Sequence, residues 1–92
     1  MNTRQAFAYS LRTFRQHRGV TQEDFSEVSS RTYISQLERA HKSPTLDKVV
    51  DLAQAMGVHP LSLLVLACLK TEEGADLDVL LARVRAEVQV CL

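Results

Sequence analysis

A chain of 92 residues, 46% of them apolar, suffices for one packed domain and is expected to lack a second, effector-binding one. Lys+Arg and Asp+Glu number 11 each, so the formal net charge is zero and overall charge supplies no attraction to nucleic acid or to an anionic membrane. The polar start, Met1 to Gln5, has no apolar signal core, and the apolar run from Leu61 to Leu69 is far too short to span a bilayer. A cytoplasmic protein with reduced cysteines is therefore expected.

The distribution of charge differs from its total. Residues 1–48 carry eight Lys and Arg against five Asp and Glu, and residues 49–92 carry three against six. The first half is thus basic by three charges and the second acidic by three. A local basic face matters for phosphate contact, although an imbalance of this size also arises by chance. With only 3 Gly and 2 Pro and no strand-type alternation, the pattern predicts an all-α protein.

The first predicted helix runs from Thr3 to Arg18, with Phe7, Leu11 and Phe14 as one apolar stripe and Gly19 as its left-handed stop. Thr21 caps the second, with Glu23 and Asp24 in the positive first turn and Val20 against Phe25 as a hydrophobic staple. That helix is expected to end near Val28. Ser29 and Ser30 make the turn, and Ser30 caps a third helix from Arg31 to Arg39. Ser43 or Thr45 caps the fourth, with Pro44 at its threshold. Its inner stripe is read as Leu46, Val49, Val50, Ala53 and Met56, and Gly57 ends it.

The fifth helix, Pro60 to Lys70, is apolar nearly all round, which predicts burial on every side, one face lying against another subunit, and Cys68 in the core. Asp76 caps the sixth. There Leu77, Leu81, Val84, Val88 and Cys91 recur at steps of 4, 3, 4 and 3, a seam two heptads long. Such a stripe either packs back on its own domain or dimerises. Dimerisation is favoured, because the last two helices carry more apolar face than one small core absorbs. Cys91, on the seam, could approach its partner in a parallel dimer, but neither cysteine has an evident basic neighbour to activate it as a redox switch.

The third helix carries the chemistry. Ile34 and Leu37 face inward, leaving Arg31, Thr32, Ser35 and Gln36 outward. Arg suits bidentate pairing with guanine, Gln with adenine, and Ser and Thr bond either base type. By themselves these residues could equally be a solvated face. Enzyme signatures are missing: His17, His41 and His59 lie far apart, Cys68 and Cys91 form no C-x-x-C pair, and there is no Gly-rich phosphate loop. No catalytic residue, metal or cofactor is expected.

Leu11-Arg12, Phe14-Arg15, Gly19-Val20-Thr21-Gln22, Tyr33 through Arg39, Ser43-Pro44-Thr45-Leu46, Leu52-Ala53 and Gly57-Val58 together resemble the Xre/Cro-like family of bacterial and phage helix-turn-helix regulators. Singly these motifs are weak; in combination they are specific. The resemblance implies a five-helix, lambda-repressor-like DNA-binding domain over residues 1–70, to which residues 71–92 add a dimerisation helix. It places base reading on Arg31, Thr32, Ser35 and Gln36. It puts Gln22 at a phosphate, assisted by the helix N-terminus, with Tyr33, Arg39, Lys42 and Ser43 as further phosphate candidates. Arg39 and Lys42 could also be ordinary surface charges. Arg15 and Glu38 match a structural ion pair that sets the angle of the recognition helix.

One departure from the family pattern stands out. From the end of the second helix to the cap of the third the chain has only Glu27, Val28, Ser29 and Ser30, about two residues fewer than usual, so the turn is tighter and Val28 is expected to fill its apolar slot. The function expected is a homodimeric, sequence-specific regulator of transcription, a repressor on a palindromic operator in double-stranded DNA. The alternative is an antitoxin-type module that binds a partner protein as well as its own operator.

Overall fold

Five α-helices and one 3-10 turn, with no strand, make up the computed structural model, which describes residues 1–92. They are α1 (Thr3–His17), the 3-10 turn (Gln22–Phe25), α2 (Arg31–Glu38), α3 (Leu46–Met56), α4 (Pro60–Thr71) and α5 (Leu77–Cys91). Capping side chains set the boundaries. Asn2 accepts from the Gln5 N–H at 2.9 Å while Gln5 accepts from the Asn2 N–H at 3.0 Å, a reciprocal box at the start of α1. Ser30, Thr45 and Asp76 cap α2, α3 and α5 through single bonds to Tyr33, Lys48 and Val79. His59 caps α4 with Nδ1, ahead of Pro60 at the first helical position.

The core is built from one face of each of the first elements. Phe7 and Leu11 of α1, Phe25 of the 3-10 turn, Ile34 and Leu37 of α2, Val49, Leu52, Ala53 and Met56 of α3, and Leu63 of α4 form a single buried cluster. The most extensive helix pair is α1 with α4. Small buried residues, Ala6, Ala8 and Ser10 on α1 and Ala67 on α4, permit close packing, and the Ser10 hydroxyl donates to the Leu63 carbonyl at 2.7 Å. Arg18 adds a staple: its Nε donates to the Met56 carbonyl and its Nη2 to that of Gly57, both at 3.1 Å. A guanidinium thus sits on the last carbonyls of α3, where the helix dipole favours positive charge. Gly57 itself has φ +71°, the left-handed conformation that ends the helix.

The second helix is a four-residue 3-10 turn that stops at Phe25, because the cap at Thr21 and the short connection to Ser30 leave no room for a second α turn. Val28 lies beyond it, packed against the core cluster. The third helix ends at Glu38, one residue early. Leu46 is 70% exposed, since the first turn of α3 projects past the core edge; Leu52 belongs in the inner stripe and Leu46 does not. Within the chain α4 buries only Leu63 and Ala67, and Cys68, one step round from Ala67, is exposed rather than in the core.

The 3-10 turn also has a measurable acid response. Asp24 accepts from the Thr21 N–H at 2.8 Å, and this backbone bond, helped by the Thr21 hydroxyl, holds its carboxyl below the ordinary value of 3.8. A lowered folded value means stability that is complete above the ordinary carboxylate range and lost as pH falls through the folded value. Asp24→Asn should therefore flatten the acid limb of a stability-against-pH curve slightly, measurable by urea unfolding at a series of pH values.

Candidate nucleic-acid interface

α2 has two unlike faces. Ile34 and Leu37 are fully buried and fasten the helix to the core. Arg31 and Thr32 are exposed, and Ser35 and Gln36 are half-buried. The Arg31 Nη1 donates to Glu23 at 2.9 Å, with both side chains about 70% exposed, so this pair is weak and solvent-screened.

The residues expected at phosphates have varied surroundings. Tyr33 is half-buried against the core, with the Lys42 ammonium 5.8 Å and the Lys48 ammonium 5.7 Å from its ring centre. Exposed Arg39 folds back so that Nε donates to the Ser35 carbonyl at 3.3 Å. Ser43 accepts from the Arg4 Nε at 3.2 Å. Gln22 opens the 3-10 turn, and its amide donates to Glu38 at 3.3 Å. A four-residue 3-10 segment has little of the aligned dipole that an α-helix N-terminus would offer an anion, so the helix-assisted site foreseen at Gln22 is reduced to its side chain and a few N–H groups. Arg4 and Lys48 went unnoticed in the sequence: each meets its partner across at least 20 residues, a separation no local pattern signals.

Arg15 and Glu38 join α1 to the end of α2. Two parallel bonds link them, Nε to Oε2 at 2.5 Å and Nη2 to Oε1 at 2.9 Å. The remaining Arg15 Nη1 donates to the Val20 carbonyl at 3.1 Å. Glu38 is 6% exposed, and no buried side-chain N or O atom lacks a hydrogen-bond partner. The Glu38 hydrogen bond, reinforced by its charge and partly opposed by burial, raises the Arg15 guanidinium above its ordinary range. Two charges taken from water are thus fully paired, and the planar fork ties the end of α2 to α1 through two parallel bonds.

The order is then a capped 3-10 turn, a tight connection and a pinned helix with a polar outer face. A helix-turn-helix family model matches residues 11–63, the span that contains all three. The chain belongs to the Xre/Cro-like helix-turn-helix family of DNA-binding transcription regulators. It is 33% identical over 76 residues to the control protein C.SmaI of Serratia marcescens, covering 80% of this chain and 90% of that one. It is 37% identical over 60 residues to the HTH-type transcriptional regulator y4dJ of Sinorhizobium fredii, covering 63% and 78%. Among solved structures, the clp gene regulator ClgR of Corynebacterium glutamicum superposes with a TM-score of 0.73 at 28% identity, over 79% of this chain and 97% of that one. The hypothetical transcription factor NHTF from Neisseria gives 0.63 at 34% identity, over 68% and 75%.

Outside the matched family segment lies α5, which has no buried residue. Leu77 and Leu81 line one side of an open apolar groove of about 510 Å³, with Phe14 of α1 and Leu61, Val65 and Leu69 of α4 on the others. Val84 is half-buried, while Val88 and Cys91 are exposed further along the same helix. No single helix of this family member is long and apolar enough to cross a membrane.

Proposed function

We propose that this protein represses transcription in the cytoplasm by binding, as a homodimer, a palindromic operator in double-stranded DNA. The observation that carries the proposal is α2: a short helix pinned by an internal ion pair, apolar inward, with Arg31, Thr32, Ser35 and Gln36 turned outward. That is what insertion into a major groove requires. Arg31, Thr32, Ser35 and Gln36 read base edges, and Gln22, Tyr33, Arg39, Lys42 and Ser43 meet phosphates. Residues 1–70 form the DNA-binding unit, and residues 71–92 the dimerisation helix, acting through Leu77, Leu81, Val84, Val88 and Cys91. The similarity to proteins described as a control protein and a clp gene regulator supports a regulatory role.

Twofold symmetry then calls for half-sites about 34–36 Å apart, or a multiple of one DNA turn. Selection of bound duplexes from random DNA by the purified protein tests the reading directly. Enrichment of an inverted repeat is expected, and enrichment of nothing would sink it. Once a preferred site is known, Gln36→Ala should cost about 1–3 kcal/mol on that site while sparing most non-specific binding. Lys42→Ala should weaken all sequences alike and flatten the salt dependence. Titrations at several salt concentrations separate the two behaviours, and an unchanged site preference in Gln36→Ala would remove α2 from base reading.

A further inference from the structure

Lys48 stands where a lysine is electrostatically out of place. It is the third residue of α3, in the first turn, where the helix dipole disfavours a cation. The side chain is half-buried rather than extended into water. Its Nζ donates at 2.5 Å to the carbonyl of Val28, 20 residues earlier, and lies 5.7 Å from the centre of the Tyr33 ring. Val28 belongs to the shortened connection before α2, and Tyr33 to the first turns of α2 itself. One ammonium group on α3 therefore holds both the turn and the helix that follows it.

We propose that Lys48 is a positioning residue for base reading: it fixes the tight turn at Val28, and through Tyr33 the rotation of the N-terminal part of α2. This rests on the reading of α2 as the base-contacting helix. Three observations converge on the role. The turn's own backbone bonds run from the Ser26, Val28 and Ser29 N–H groups back to Glu23 and Phe25, whereas the Val28 carbonyl receives the charge-assisted Lys48 bond, a stronger kind than a neutral one. Arg31 and Thr32 lie between Val28 and Tyr33, so the two held points bracket them. The opposite end of α2 is held separately by Arg15 and Glu38. A helix of eight residues tied at both ends presents its side chains in one rotation, the pre-organisation that specific recognition needs.

The test is Lys48→Met, which keeps the aliphatic stem and removes the charged donor. Positioning predicts that affinity for the selected operator falls about tenfold while affinity for unrelated DNA and the salt slope stay unchanged, the loss expected of one charge-assisted bond. An equal loss on both DNAs with a shallower salt slope would make Lys48 a phosphate contact and overturn the proposal, as would no change at all. Amide hydrogen exchange gives a readout independent of DNA. Residues 28–33 should exchange faster in Lys48→Met while Leu52 and Ala53 in the core do not. Faster exchange throughout would mean global destabilisation only, and would also overturn it. A wild type with no preferred sequence would remove the DNA reading and, with it, the base-reading role of Lys48, whatever exchange shows at the turn. If Lys48→Met fails to fold, the wild type bound to operator decides: a 15N–31P coupling between the Lys48 ammonium and a DNA phosphate overturns positioning, and its absence with Nζ still at the Val28 carbonyl supports it.

Discussion

Glu38→Ala should destabilise the protein by about 3–5 kcal/mol, because it leaves the Arg15 guanidinium partly buried with no counter-charge. The Arg15 side chain is 14% exposed and that of Glu38 only 5%, so water cannot replace the missing partner without a local opening of the fold. Removing Arg15 instead should be as harmful or worse, since Glu38 would keep only the Gln22 amide, at 3.3 Å, as a side-chain donor. A double replacement by apolar residues of similar volume should cost clearly less than the two single changes together. Urea unfolding of the four proteins in a double-mutant cycle measures the coupling, and additive, small effects would show that the pair does not constrain the fold. A loss of this size is a large fraction of the stability of an ordinary domain, about 5–15 kcal/mol. The milder conservative change Glu38→Gln keeps the shape of the fork but not its charge. It should leave the protein folded and broaden its site preference, because α2 would be held less firmly.

The second large effect concerns assembly. Leu81→Lys combined with Val84→Glu should give a monomer in light scattering and reduce operator affinity by about 100-fold or more, since the second half-site would no longer be engaged by a linked subunit. Leu81 is 40% exposed on the rim of the apolar groove, and Val84 follows it along α5. Leu77 at 47% and Val88 at 51% extend the uncovered stripe. A helix with no buried residue and an apolar stripe is poorly stabilised by its own domain, and a second copy burying the stripe would supply what is missing. The charged variant should keep its monomeric fold, because neither substituted residue belongs to the core cluster. A wild type that is monomeric at micromolar concentration, or a charged variant that stays dimeric, would relocate the interface away from α5.

Much of the helical framework was legible because it is encoded locally. Ser30, Thr45 and Asp76 each bond an N–H three residues on, and Gly19 and Gly57 take the left-handed backbone that a side chain disfavours. Phe7, Leu11, Ile34, Leu37, Val49, Ala53 and Met56 announce their burial by helical spacing alone. Misreadings arose where spacing was the only guide and the edge of the core intervened. Leu46 has the right period for the inner stripe of α3 but occupies a turn that overhangs the core, and Cys68 has the right polarity for a buried helix but sits on its open side.

By itself, then, the order of residues determined the all-α class, the caps, the apolar stripes and the polar outer face of α2, since each depends on neighbours within a few positions. Membership of the helix-turn-helix family was legible from the same residues in combination. The tertiary structure decided what depends on distant segments meeting. It reduced the second helix to a 3-10 turn, brought Gln22 to Glu38, Arg4 to Ser43 and Arg18 to the end of α3, and set Lys48 on the Val28 carbonyl. Hydrogen-bond geometry is satisfied only within a few tenths of an ångström, and residues 16 to 39 positions apart reach that register only when the whole core has packed.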